Sequence, residues 1–177
     1  MRSTEKGVGV KEVWMRIAAC ALNAQLILQI SWRADWTCGL PLVLLTLLIH
    51  VLGLGLIRQK VSRIFNHVTE LRHPTAVFAV VAGGTTLLAT TLHAVEAGIW
   101  ALSYQLLGAL PDFKSAMLYS LNAITSYGHE SLVLEAHWEL MGAIEALNGW
   151  LLFGLSTAFL FGIIDKIWEL GERAKPH

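Results

Sequence analysis

The chain has 177 residues, of which 55% are hydrophobic and 15% charged, with a mean hydropathy of +0.56 and a formal net charge of zero. A soluble domain carries ~25% charged residues, so this balance points away from an ordinary soluble domain and toward a membrane. Neutral charge without a basic run argues against nucleic acid as a partner, and two cysteines, Cys20 and Cys38, are too few for a disulfide framework.

Taken in order, the chain offers four long apolar segments. Arg2, Lys6 and Lys11 precede the first and imitate a secretory signal, but no small-residue cleavage site follows, so the segment is read as retained. That first segment, Glu12 to Ile30, is interrupted by Arg16, Asn23, Gln25 and Gln29, which do not share one helix face. A surface-lying amphipathic helix would gather them, so a membrane span is expected. A turn over Ser31–Thr37, with Trp32 and Trp36 as interfacial anchors, leads into a second span from Cys38 to Ile57. The third runs from Ala76 to Leu110 and the fourth from Trp138 to Ile164. Both are long enough to cross a hydrocarbon core of ~30 Å.

Between the third and fourth lies a segment too short to cross. Phe113 to Ile124 is apolar and ends in the polar string Thr125-Ser126-Tyr127-Gly128-His129-Glu130. Non-helical backbone at membrane depth is tolerated only inside protein or against a water-filled cavity. Short helix, polar turn and full helix together make the pattern of a re-entrant pore loop.

With four spans, ten lysines and arginines fall on one side and only Arg33 and Lys114 on the other. The positive-inside rule then places both termini in the cytoplasm of a cell with the protein in its plasma membrane. Residues 1–74 read as an accessory helix pair (Glu12–Ile57) with a cytoplasmic loop, and 75–177 as a pore domain.

Ionisable residues inside apolar segments each need a partner or a water path. At about 1.5 Å per residue, His50, His93, Glu96, Glu145 and Asn148 fall roughly 15–21 Å below the outer face, in one midplane layer. They read as a packing network, or as a support in which Glu145 or Glu96 braces the loop from behind. His93 and Glu96 at i, i+3 share a helix face, but two ligands are a weak metal signal. His129, Glu130, Glu135 and His137 cluster at the outer mouth, where a ring of carboxylates would concentrate cations. Metal ligation by His129, Glu130 and His137 is an alternative, and the metal content is left unknown. Gly149 and Gly154 in the fourth span serve close packing or act as a gating hinge.

LHAVEAGIWALSYQLLGALPDF, Ser120-Leu121, and Gly142–Gly149 leading into LLFGLSTAFLF resemble the bacterial two-helix potassium-channel-like family of pore-loop ion channels, over residues 90–165. The resemblance implies a symmetric homotetramer, with the third span as outer helix, the fourth as inner helix and Phe113–Thr125 as pore helix. The family filter Thr-x-Gly-Tyr-Gly-Asp matches Ser126-Tyr127-Gly128-His129-Glu130-Ser131 in the register that fits the flanks better. A register two residues earlier lays Tyr127-Gly128 on the Tyr-Gly pair, with Ser126 in place of the first glycine, Ile124 of the threonine and His129 of the aspartate. Either way one glycine is lost. In the first register His129 replaces the tyrosine and Glu130 the second glycine, which disfavours a ladder of carbonyls alone.

The expectation is therefore an all-α membrane channel of four spans and a pore loop, passing potassium or less selected monovalent and divalent cations. Thr125, Ser126, Tyr127, Gly128, His129 and Glu130 would line the filter, with Glu130 as the negative ring. No cofactor is expected beyond K, Na or Ca ions in the filter, and no enzymatic activity. The partners are the lipid bilayer, further copies of the chain and a membrane protein against residues 12–57. The alternatives are a non-conducting scaffold or accessory subunit with this fold, and a membrane metalloenzyme.

Overall fold

Helix forms wherever the sequence supplies long apolar runs, because backbone polar groups away from water must bond within their own segment. The structure, a computed structural model, describes residues 10–68, 74–128 and 132–173. Its helices are α1 (Val10–Val68), α2 (Pro74–Leu106), α3 (Phe113–Ile124) and α4 (Glu139–Arg173), with a 3₁₀ turn at Ala136–Trp138 leading into α4. No strand occurs among the described residues. Among the described residues, three stretches are long and apolar enough to cross a membrane: Ser31–Arg63, Ala76–Leu106 and Ala136–Glu169.

The turn expected at Ser31–Thr37 is absent. α1 runs through it unbroken, so the helix pair of the sequence reading is one helix of 59 residues. That heptapeptide contains neither glycine nor proline. Thr37 Oγ1 donates back to the carbonyls of Arg33 and Ala34, both at 2.9 Å, which tightens the helix instead of ending it. The tryptophans and charges that suggested an interface carry no turn geometry of their own. Gly39 and Pro41 follow the heptapeptide, and the helix tolerates the loss of the proline N–H.

α1 and α4 lie parallel. Ser31 Oγ donates to the His137 carbonyl at 2.6 Å, Asn148 donates to Thr46 at 2.8 Å, and His50 meets Ser156 at 3.1 Å. α2 runs against both. The Val10 end of α1 and the Arg173 end of α4 are thus at opposite ends of the bundle. Described side chains between Lys11 and Gln29 are all exposed, because α1 projects beyond the start of α4 there.

α3 is inserted among the long helices. Asp112 caps it, accepting from Ser115 N at 3.0 Å and Ser115 Oγ at 2.8 Å. The Ser115 backbone N–H, then its hydroxyl, hold the Asp112 carboxyl below its ordinary value. Halfway along, Ser120 Oγ donates to the Ala97 carbonyl of α2 at 2.8 Å. At the far end, the Ile124 carbonyl lies against Gly149 of α4. The chain then returns, and Glu135 N donates to the Ala109 carbonyl at 3.4 Å, back beside the end of α2. The segment enters and leaves the bundle by one end. Its core is Trp100, Tyr104, Ala116, Tyr119, Met141 and their neighbours.

Gly149 makes that insertion possible. A Cβ there would sit 2.1 Å from the Ile124 carbonyl oxygen, a rigid backbone atom, whereas one at Gly154 would meet nothing within 4 Å. Gly149→Ala is expected to lower the stability of the solubilised protein by about 1–3 kcal/mol, read as a thermal midpoint, with Gly154→Ala close to wild type. Equal midpoints for the two variants would contradict the contact. The unbroken α1 has its own check in the native thiols. Spin labels on Cys20 and Cys38, in chains diluted with unlabelled protein, should lie roughly 27 Å apart along a helix rising about 1.5 Å per residue. A hairpin turning at Ser31–Thr37 would shorten the separation to about 19 Å, with Cys20 roughly 16 Å down one helix and the axes about 10 Å apart.

Candidate functional site

Among the described residues, one buried polar group holds α3 in place and another joins α1 to α2, with the Asn148–Thr46 pair beside them. In the first, the Glu145 carboxylate of α4 is fully buried. Tyr104 of α2 donates to its Oε2 at 2.6 Å, and Ser120 of α3 makes a close hydrogen bond to its Oε1. Three helices therefore converge on one carboxyl. Burial of such a group without hydrogen bonds costs several kcal/mol, so the arrangement is locked by its own desolvation. Tyr119 stacks edge-on against Tyr104, with ring centroids 5.3 Å apart, and closes the group from the side.

In the second, Glu96 of α2 is fully buried between two histidines. His50 Nδ1 of α1 is 2.8 Å from Oε1, and His93 Nδ1 is 3.3 Å from Oε2. The Nε2 atoms of both rings approach Ser156 Oγ of α4 at 3.1 Å. Close by, Asn148 is tied to Thr46. The midplane layer expected from the sequence thus separates into a Glu145 group, an Asn148–Thr46 pair and a His50–His93–Glu96–Ser156 group. Ser120, Tyr104, Thr46 and Ser156 were missing from the sequence reading as partners. The available signal was that each buried carboxyl, histidine or amide demands a donor or acceptor on a facing helix.

Beyond α3 the loop is turned by its backbone. Thr125 Oγ1 donates to the Leu121 carbonyl at 2.7 Å and Tyr127 N to Asn122 at 2.9 Å. Ser126 takes φ 54° and Gly128 φ 86°. A left-handed conformation costs a non-glycine residue roughly 1–2 kcal/mol. Here Ser126 is held by its N–H to the Ala123 carbonyl at 2.9 Å and by Trp150 Nε1–H donating to its Oγ at 2.8 Å. Tyr127 is 85% exposed. His129 and Glu130, expected at the tip, lie outside the described residues. Glu135 and His137 are exposed beside the returning chain. A cavity of about 420 Å³ opens below the loop, lined by Thr90, His93, Ile124, Thr125, Trp150 and Phe153. It joins the loop to the histidine group.

Comparison with protein-family models, with curated proteins and with solved structures finds no match to this chain.

The Glu145 group can be tested directly. Glu145→Ala leaves the buried Tyr104 hydroxyl without its acceptor and removes the contact to Ser120, whose hydroxyl keeps only the Ala97 carbonyl, and should cost about 2–4 kcal/mol. Glu145→Gln keeps one acceptor oxygen and should cost less. The check is thermal unfolding of both variants in one detergent, and a Glu145→Ala midpoint at the wild-type value would remove the group from the account.

Proposed function

We propose that the protein is a pore-loop cation channel of a cell membrane, assembled from copies of the chain around the loop that follows α3. The observation that carries the reading is the path of residues 107–128 and 132–138. A helix of 12 residues is docked between two long apolar helices, ends in a tight polar turn, and its chain returns to the end from which it came. Four copies would bring Thr125, Ser126, Tyr127, Gly128, His129 and Glu130 around one axis. Backbone carbonyls of the turn and the Glu130 carboxylates would then face permeating cations.

The α3–α4 surface supports assembly. Leu118, Leu121, Leu147, Trp150, Leu151 and Phe153 are exposed on the single chain, an apolar expanse that requires lipid or a further copy against it. Tyr127 would be covered by the neighbouring loops. The filter departs from the potassium pattern at His129 and Glu130, so the pore passes cations with less selection among them. α2 serves as outer helix, α4 as inner helix and α3 as pore helix. α1 packs on the outside of that unit and offers its exposed N-terminal stretch to a membrane partner. The end of α1 that carries Arg58, Lys60 and Arg63 would face the cytoplasm together with the Arg173 end of α4. Arg2, Lys6 and Lys11 lie about 20 residues or more from Ser31, at or past the reach of the positive-inside rule.

Cation flux from liposomes holding the purified protein tests the reading. Wild type should pass potassium and sodium above empty liposomes, Glu130→Gln should lower the flux severalfold, and the solubilised particle should be a tetramer. A folded tetramer without flux would make the protein a non-conducting subunit, and a monomeric particle would remove the pore altogether.

A further inference from the structure

We propose that His50, His93 and Glu96 form a site for a divalent transition-metal ion of the zinc class, held inside the bundle and independent of ion flow through the loop. The three side chains offer ligand atoms that all lie within 4.8 Å of one another. The donors are two imidazoles and one carboxylate without a thiolate, a borderline set suited to zinc, nickel, cobalt or ferrous iron.

The arrangement of the rings goes further than proximity. Both Nε2 atoms converge on Ser156 Oγ, each at 3.1 Å. Both Nδ1 atoms turn the other way, toward the Glu96 carboxylate. A hydroxyl oxygen has two lone pairs and can accept an N–H from each ring. Metal-ligating histidines generally donate their second ring N–H to such an acceptor, which fixes the tautomer and aims the free nitrogen. Ser156 is placed to do this for both rings at once. The two Nδ1 atoms and the carboxylate are then left facing a common point.

A second observation points to that same place. Glu96 Oε2 is buried and has no hydrogen-bond partner, although it lies 3.3 Å from His93 Nδ1. An orphaned carboxylate oxygen in an apolar interior is costly, and an ion bound there would satisfy it. Bonds of ~2.1 Å at tetrahedral angles set ligand atoms roughly 3.4 Å apart. The His93 Nδ1–Glu96 Oε2 pair already has about that spacing, and His50 Nδ1 lies 2.8 Å from the other oxygen of the same carboxylate, Oε1. Access exists too. His50 and Glu96 are sealed, but the His93 side chain is 24% exposed and lines the cavity under the loop. A fourth ligand, hydroxide or chloride, can enter there and bring the charge of ion plus carboxylate to zero, which a low-dielectric interior favours. Occupancy would pin α1, α2 and α4 together immediately below Thr125.

The test uses full-length protein in mild detergent, stripped with chelator and then incubated with zinc or cobalt. Metal retained after desalting is measured, and cobalt is also followed by its visible absorption. Wild type should retain one ion per chain with the intense absorption of a tetrahedral N/O site. His137→Ala should match it. Glu96→Gln and His93→Gln should bind at least tenfold more weakly, and Ser156→Ala about 10–100-fold more weakly through loss of ring orientation. Size-exclusion profiles report folding, and Ser156→Ala keeps the test decisive if Glu96→Gln does not fold. Folded wild type without metal, Ser156→Ala at wild-type affinity, or metal lost in His137→Ala but kept in Glu96→Gln would each overturn the proposal. None of these readouts depends on flux, so the site and the channel can fail separately.

Discussion

The rest of the structure depends on the buried carboxyl of Glu145. An ionisable group deep in an apolar bundle must be given hydrogen bonds, and here they come from Tyr104 of α2 and Ser120 of α3. α3 is short and could not hold its position by helix propensity, since isolated helices below ~12–15 residues are marginal. Anchored at its middle by Ser120 and seated at its end against Gly149, it becomes a fixed insertion between two long helices. The turn that follows inherits its place from that anchor.

The second polar group extends the same logic to α1. His50 reaches across to Glu96, and Ser156 of α4 ties both histidines from behind. α1 and α4 run parallel and meet at three levels, Ser31, Thr46 and His50. Polar contacts set the register of the bundle, because apolar surfaces alone slide past one another easily in lipid. The cavity under the loop touches Thr125 above and His93 beside it, so the histidine group and the loop share one space.

Much of this was legible in the sequence, and the reasons differ by element. α3 is observed over the residues expected from the short apolar run, Phe113–Ile124, because an aspartate cap begins it and a polar turn ends it. Glu96, His93, His50, Glu145 and Asn148 stood out because a charge or amide in an apolar run must have a partner. Their partners did not stand out. Serine and threonine are unremarkable on a helix, and Thr86, Thr90 and Thr91 merely bond the carbonyl four residues back. Only the fold distinguishes Ser120 and Ser156 from those. The continuity of α1 was misread for another reason. Trp32, Trp36 and the distribution of lysines and arginines report on a membrane interface, whereas a turn needs residues that break helical backbone, and Ser31–Thr37 has none. Gly149 and Gly154 looked alike in sequence, and only the approach of Ile124 separates them.

The chain between α2 and α4 enters and leaves the bundle by one end with its middle buried. Single cysteines in a background without Cys20 and Cys38, probed in sealed vesicles with a membrane-impermeant thiol reagent, test it most directly. Cysteines at Phe113, Gly128 and Val133 should be modified from the same side of the membrane, and one at Ala123 should be protected. Labelling of Phe113 and Val133 from opposite sides would mean that the segment crosses, and the account would be wrong.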